Sequence, residues 1–344
     1  MEGYDKYMNA YKSAIIGCGA IHSMHVNAIA KCANVKLSAV VDIDENLVKK
    51  VASDYKCDYY TDYKELLKQS HIDVVHICTP HYLHAPMAIE AMRAGKHVFI
   101  EKPMAISVSD AQEMIKVQEE TGKTLGVCFQ NRYNDTSIKV KEILDSGVLG
   151  KIIGGKAFVT WHRNQDYYAS GEWRGTWEKE GGGVLINQAI HTLDLLQWFI
   201  GDVDRIKASV DTRLLKDFIE VEDTAEATVI FKNGATALFY ATNCYPVDSP
   251  IEIELICEKA VIRLGKDLYI QYNNGESEKI NNSDKATGQK AYWGTGHETI
   301  IREFYNTLDN KIDFDVDGKQ GINAIRIIEA IYRSSKEKKY IDLA

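Results

Sequence analysis

Long apolar runs are missing from this chain. No stretch of its 344 residues approaches the roughly 20 that a bilayer-spanning helix needs. The opening MEGYDKYMNAYK lacks the apolar centre of a secretory signal, so the expected location is the cytoplasm. No basic block stands out. Lys and Arg number 41 against 49 Asp and Glu, a net charge of −8, which argues against nucleic acid or an anionic membrane as partner. No CxxC pair occurs among the seven cysteines at 18, 32, 57, 78, 128, 244 and 257, so neither a metal site nor a disulfide framework is expected. Several of them sit in apparent strands, where cysteine acts as a small hydrophobe, and a reducing compartment fits. Internal repeats and low-complexity linkers are also absent.

What remains is an ordinary globular composition, 45% hydrophobic and 26% charged, with length enough for two domains. Residues 12 to about 130 alternate β-rich runs with helical patterns. KSAIIG, VKLSAVVD, DVVHICTP, HVFIEK and TLGVCFQ read as strands. Helices are expected over 20–31, 45–54, 85–94 and 108–121. That alternation predicts a doubly wound parallel sheet with right-handed crossovers, a Rossmann domain over 1–131. Beyond about 150 the β patterns lengthen, and KNG and NNG read as hairpin turns. The expectation for 132–344 is an α+β domain on a large open antiparallel sheet, its last helix, about 318–336, packing near the domain junction. One face of such a sheet can be apolar and needs covering, so a homodimer or homotetramer is expected.

Gly17-Cys18-Gly19 follows the first strand and opens the first helix, the context a dinucleotide fingerprint requires. Gly17 permits the tight turn, and Gly19 lets the backbone approach a pyrophosphate on the helix N-terminus. His22 stands where the fingerprint has glycine or alanine. Asp42 ends the second strand; its carboxylate would accept from ribose hydroxyls and repel a 2′-phosphate, favouring NAD over NADP. Lys102 follows a strand directly, at the carboxyl edge where open α/β sheets bind ligands. Gln130 and Asn131 end another strand at that edge, and can meet a nicotinamide amide, a sugar hydroxyl or only their own loop.

EGGGVLINQAIHTLD, residues 180–194, reads as a buried helix. At 100° per residue it places Asn187, His191 and Asp194 on one face. Asp194 fits a structural role better than a chemical one. The segment 161–177, WHRNQDYYASGEWRGTW, holds Trp161, Tyr167, Tyr168, Trp173 and Trp177. Aromatic faces pack on sugar C–H surfaces, and Arg163 and Arg174 can bond hydroxyls, phosphate or carboxylate, although a self-packed loop or a subunit contact explains the same residues. His297 in GTGHETIIREF marks a helix start.

GCGAIH, TPHYLH at 79–84, EKP at 101–103 and GGGVLINQAIHTLD, in that order, resemble the Gfo/Idh/MocA oxidoreductase family, which includes glucose–fructose oxidoreductase and inositol dehydrogenases. The resemblance covers nearly the whole chain. It implies hydride transfer between NAD(P) and a secondary alcohol of a sugar, glycoside, sugar derivative or cyclitol. WRGTW and Asn187 resemble the branch acting on pyranosides, including at C3. The implied cofactor set is Gly17, Gly19, Ala20, Ile21, Asp42, Ile43, Thr79, Pro80, His81, His84, Glu101, Lys102 and Gln130; His84 can equally cap or pack at its helix. The implied catalytic set is Lys102, His191 and Asn187. Lys102 either stabilises an alkoxide or acts as the base, and His191 is the other candidate base. Asn187 replaces the family's usual aspartate. Substrate contacts are implied for Lys102, Asn131, Trp161, Arg163, Tyr167, Trp173, Arg174, Asn187 and His191. Two alternatives stay open: an enzyme that keeps NAD bound and cycles a keto-sugar, and a non-catalytic NAD-sensing protein.

Overall fold

The computed structural model describes residues 11–282 and 296–343. Most of MEGYDKYMNAYK therefore lies outside the described residues, and so does the expectation drawn from it. The chain divides into two compact units, residues 1–130 with 297–322, and residues 131–296 with 323–344.

The first unit holds β1 (Tyr11–Ile16), α1 (His22–Ile29), β2 (Val35–Val41), α2 (Glu45–Tyr55), β3 (Asp58–Tyr60), α3 (Tyr63–Leu67), β4 (Val74–Ile77), α4 (His84–Arg93), β5 (His97–Ile100), α5 (Val108–Thr121) and β6 (Leu125–Val127). Its sheet runs β3-β2-β1-β4-β5-β6, every pair parallel. Ile15, Val40, Val75 and Val98 are fully buried, as expected of strands covered on both faces. Asp44 caps α2 by accepting from Asn46 N and Leu47 N, and Ser107 caps α5 by accepting from Asp110 N.

The second unit holds α6 (Asp135–Asp145), β7 (Ile152–Thr160), α7 (Gln165–Ala169), α8 (Val184–Asn187), α9 (Ile190–Ile200), β8 (Val203–Asp211), β9 (Thr224–Phe231), β10 (Thr236–Thr242), β11 (Glu252–Cys257), β12 (Ala260–Leu264), β13 (Leu268–Tyr272) and β14 (Ser277–Ile280). After α10 (Gly296–Asn310) and α11 (Gly318–Glu337), β15 (Ile341–Asp342) completes a nine-stranded sheet, β14-β13-β12-β11-β7-β10-β9-β8-β15. KNG joins β9 to β10 and NNG joins β13 to β14, with Gly234 and Gly275 at positive φ.

Two expectations are corrected and one is refined. The large sheet is antiparallel as expected except at one pair: β7 and β10 run parallel, Gly154 opposite Thr236 through Thr160 opposite Thr242. Three helices and two strands separate them, ample chain for the crossover a parallel pair requires. Residues 297–322 return to the first unit rather than staying in a second domain over 132–344. Their apolar face draws them there: the Phe304 ring lies 5.1 Å from that of Phe99. Gly126 leaves room for it, since a Cβ there would sit 2.7 Å from Phe304 Cδ2. An amphipathic helix announces a buried face but not the sheet that buries it. Finally, the single helix expected over 184–194 is two, α8 and α9. Gln188 N and Ala189 N both donate to Val184 O, the second an i to i−5 bond that widens the turn. A 100° projection does not carry from Asn187 to His191 across that break.

Candidate active site

In the first unit the phosphate-type turn follows from backbone geometry. Gly17 has φ +99°, and a Cβ there would lie 2.7 Å from Cys78 O, so no other residue fits without movement. An added Cβ at Gly19 meets nothing within 4 Å, and Gly19 and Ala20 are exposed. Ile21 begins α1 with no side-chain cap; His22 N and Met24 N donate to Gly19 O and Ile21 O, and among the described residues no side chain covers this helix start. His22 explains the departure from the fingerprint: its Nδ1 lies 2.6 Å from Gly19 O and braces the loop.

Asp42 Oδ2 accepts from Cys18 N at 2.8 Å and Oδ1 from Asp44 N at 3.0 Å. The carboxylate ties the turn to the end of β2 and keeps further lone pairs. Ile43, next along, is 94% exposed, an apolar platform beside it. These features fit an adenine dinucleotide. Replacing Asp42 by Asn keeps one acceptor and removes the charge. Its expected effect is about a tenfold loss of NAD affinity, one charge-assisted bond, with weaker discrimination against NADP; titration of both cofactors measures it.

At the same edge, Thr79 and Pro80 are half-buried and His81 is buried in a short 3-10 turn. His84 packs inward at the start of its helix. Fully buried, it sets Nδ1 2.6 Å from Pro103 O and Nε2 2.8 Å from Thr79 O, stitching two edge loops together. Glu101 is also turned inward: Oε1 lies 2.9 Å from His25 Nε2, and Oε2 accepts from Lys102 N at 3.3 Å. Lys102 is half-buried and Gln130 buried. His25, Glu101 and Cys128 bring ligand-type atoms within 4.8 Å of one another. The 2.9 Å between His25 and Glu101 is a hydrogen bond. Two ligands held about 2.0–2.1 Å from a tetrahedral ion would stand about 3.3 Å apart.

In the second unit a different group gathers around Tyr167. Its hydroxyl receives Arg174 Nη1 at 2.7 Å, Gln188 Nε2 at 3.0 Å and Asn187 Nδ2 at 3.1 Å. The Arg174 guanidinium lies between rings, 4.5 Å from the Tyr167 centroid and 4.4 Å from that of Trp173. Asn187 Nδ2 also donates to Glu180 Oε1, and Glu180 is 1% exposed. Gln188 is set by Asn243, whose Nδ2 donates to Gln188 Oε1 at 3.0 Å and to Tyr168 Oη at 2.9 Å. His191 is buried in the first turn of α9. Asn131 is buried, and its Oδ1 has no hydrogen-bond partner among the described residues.

Two substrate expectations change here. Arg163 lies 2.9 Å from Asp248, so its charge is already neutralised. The Trp161 indole N–H donates to Ser249 O at 2.9 Å, and the side chain is buried. Both tie the 161–177 segment to the segment between β10 and β11. Asp194 is structural: its two oxygens take Arg132 Nε at 2.8 Å and Nη2 at 2.6 Å, with both side chains at most 4% exposed. Glu180, Gln188, Asn243 and Arg132 stand out in no sequence motif; the one local signal is a glutamate directly before the glycines.

Glu222 holds those glycines. It accepts from Gly183 N at 3.0 Å, Leu185 N at 2.9 Å and Tyr332 Oη at 3.0 Å. Gly183 must be glycine, because a Cβ would lie 1.8 Å from Glu222 O. Burial pushes the Glu222 carboxyl up to about 7 against these donors. A carboxyl raised in the folded state contributes stability below its ordinary range and loses it as pH rises through about 7. Glu222→Gln should remove that dependence. The wild-type minus variant stability should fall by about 3 kcal/mol between pH 4.5 and 8 in urea titrations.

Comparison with known proteins agrees with this architecture. Residues 11–129 match the family described as an oxidoreductase family with an NAD-binding Rossmann fold, and residues 137–263 match the GFO/IDH/MocA C-terminal domain. The WlbA dehydrogenase from Bordetella pertussis, solved with NADH and UDP-GlcNAcA, is 29% identical with TM-score 0.88, over 98% of this chain and 99% of that one. The WlbA dehydrogenase from Chromobacterium violaceum, solved with the same two ligands, is 31% identical with TM-score 0.85, over 98% and 96%. An uncharacterized oxidoreductase of Bacillus subtilis, YrbE, is 30% identical over 70% of each chain. The matches at both ends of the sequence, with the parallel sheet that carries the glycine turn, place the chain in the Gfo/Idh/MocA family of oxidoreductases, with an NAD-binding Rossmann fold at its N-terminal end.

Proposed function

We propose that this chain is an NAD-dependent dehydrogenase acting on a secondary alcohol of a sugar, glycoside, sugar derivative or cyclitol, C3 of a pyranoside being one candidate position. The observation that carries the reading is the carboxyl edge of the first unit's sheet. The Gly17–Gly19 turn, Asp42 and Lys102 all leave strands β1, β2 and β5 at that edge. Bound NAD supplies the hydride acceptor. Gly17, Gly19, Ala20, Ile21, Asp42 and Ile43 would hold its adenosine and pyrophosphate half, with Thr79, Pro80 and His81 along the same edge and Gln130 toward the nicotinamide. Lys102 would stabilise the alkoxide or take the hydroxyl proton. His191 is the second candidate base, and Asn187, Asn131, Tyr167, Trp173 and Arg174 would orient the sugar.

The likeness to two dehydrogenases solved with NADH and UDP-GlcNAcA supports testing nucleotide-linked acidic sugars first. NADH production should be measured across sugar nucleotides, phosphosugars, glycosides, free hexoses and inositols. Turnover of none of them overturns the reading. The second unit's sheet also exposes Ile153, Leu238 and Tyr269, 57%, 56% and 44% accessible. We assign this face to a homodimer or homotetramer contact. Light scattering that returns the mass of one chain would refute it. Among the described residues no helix is long and apolar enough to cross a membrane.

A further inference from the structure

A row of polar side chains crosses the core of the first unit and ends beneath Lys102. Ser13 Oγ on β1 lies 2.5 Å from Tyr305 Oη on α10. Tyr305 Oη lies 2.7 Å from His76 Nε2 on β4. His76 Nδ1 lies 2.9 Å from His25 Nδ1 on α1, and His25 Nε2 lies 2.9 Å from Glu101 Oε1. Glu101 Oε2 accepts the backbone N–H of Lys102. Ser13, His76 and His25 are 0% exposed, Tyr305 1% and Glu101 7%. Strand positions so deeply buried ordinarily carry apolar residues, because an unsatisfied polar group there costs about 1–3 kcal/mol.

With His25 neutral and Glu101 charged, proton accounting leaves one pattern. Burial alone would raise the Glu101 carboxyl, but hydrogen bonds from His25 and His297 hold it well below its usual range. As a carboxylate it can only accept, so His25 donates from Nε2. Neutral His25 then has a bare Nδ1 and must accept from His76 Nδ1–H. Burial keeps His76 well below its ordinary value, hence neutral, so its bare Nε2 accepts from the Tyr305 O–H. Tyr305 in turn accepts from Ser13. Every donor points toward Glu101. Reversing the row from Ser13 to His25 requires one added proton, held by the His25–Glu101 pair either as a cationic His25 beside the carboxylate or as a neutral His25 beside a protonated Glu101. The direction of the row and the proton count of that pair are one variable.

We propose that His76 and Tyr305 are positioning residues for Lys102: they hold His25 as its Nε2–H tautomer, and His25 thereby keeps Glu101 an oriented carboxylate under the Lys102 backbone. The proposal rests on the dehydrogenase reading for its effect on turnover, but not for its effect on the histidines.

The test is the double variant His76→Phe/Tyr305→Phe in the full chain. It replaces both residues by rings of similar volume beside Phe99 and Phe304, and leaves Ser13 Oγ and His25 Nδ1 buried without these partners at a cost of about 1–3 kcal/mol each. kcat should fall about tenfold, the scale of a small misplacement at a reacting group, while NAD affinity and substrate KM stay within about twofold. Nitrogen-15 NMR should show His25 with its one proton on Nε2 in the wild type, and in the variant a second form that also carries a proton on Nδ1, where no donor faces that nitrogen. A folded variant with wild-type kcat, or with His25 unchanged, overturns the proposal. If the double variant does not fold, Tyr305→Phe, which removes the donor to His76 Nε2, takes its place: the same fall in kcat and the same added proton on His25 Nδ1 support the proposal, and the absence of either overturns it. If the wild type turns over no substrate of the panel, the dehydrogenase reading fails and the His25 signal alone decides the relay.

Discussion

Replacing Lys102 by alanine should lower kcat by about 10²–10⁴-fold, the combined range for losing a positioned proton-transfer group or a charge at a developing alkoxide. Cofactor affinity should change little, because the turn at Gly17 and the Asp42 carboxylate are independent of the lysine side chain. The backbone at Lys102 is held from below by Glu101, so the ammonium leaves a braced position rather than a free loop. Lys102→Arg separates the two roles. Arginine keeps the charge but cannot give up its proton near neutral pH. Partial activity would assign Lys102 the electrostatic role and leave the proton to His191. Activity as low as that of the alanine variant would make Lys102 the base. Undiminished turnover in Lys102→Ala would sink the mechanism altogether. Steady-state kinetics and an NAD titration on the three proteins decide among these.

The largest loss of stability is expected at Asp194. Asp194→Ala leaves Arg132 buried with no carboxylate, and breaking such a pair from one side costs about 3–5 kcal/mol. The Trp198 ring, 5.4 Å from the Arg132 guanidinium, does not replace two charge-assisted hydrogen bonds. Turnover should fall too, because α9 also carries His191. The double replacement Arg132→Met/Asp194→Leu should recover most of the stability, since removing both charges removes the desolvation they require. Urea unfolding of the three variants checks both statements. A loss below about 1 kcal/mol in Asp194→Ala would mean that Arg132 finds water or another acceptor.

Asn187 shows where a sequence reading meets its limit. It stands where members of this family are expected to carry an aspartate, and taken alone it is a missing charge. In the fold its amide meets Glu180, seven residues earlier and directly before the glycines. A carboxylate is present after all, on a different residue and one bond further out. Nothing in the spacing of EGGGVLINQ reveals this, because the contact needs the chain to fold back through Gly182 and Gly183. Glu222 holds that fold from the loop before β9, distant in sequence. The helix itself misleads in the same way. Its apolar period is real, but the widened turn at Val184–Ala189 resets the phase between Asn187 and His191.

Sequence by itself determined the parallel sheet, its glycine turn, the aspartate at the end of β2 and the lysine after β5. Each depends on neighbours in the chain: alternating apolar runs, a glycine forced by a tight turn, a charge directly following a strand. The two hairpin turns were legible for the same reason. Only tertiary structure decided the rest. It set β7 parallel to β10, sent α10 back to the first sheet, turned His84 and Glu101 inward, and neutralised Arg163 and Arg132 with acids 85 and 62 residues away. These outcomes depend on which buried polar group finds which partner. Burial requires that a partner be found, while local sequence does not say where in the chain it lies.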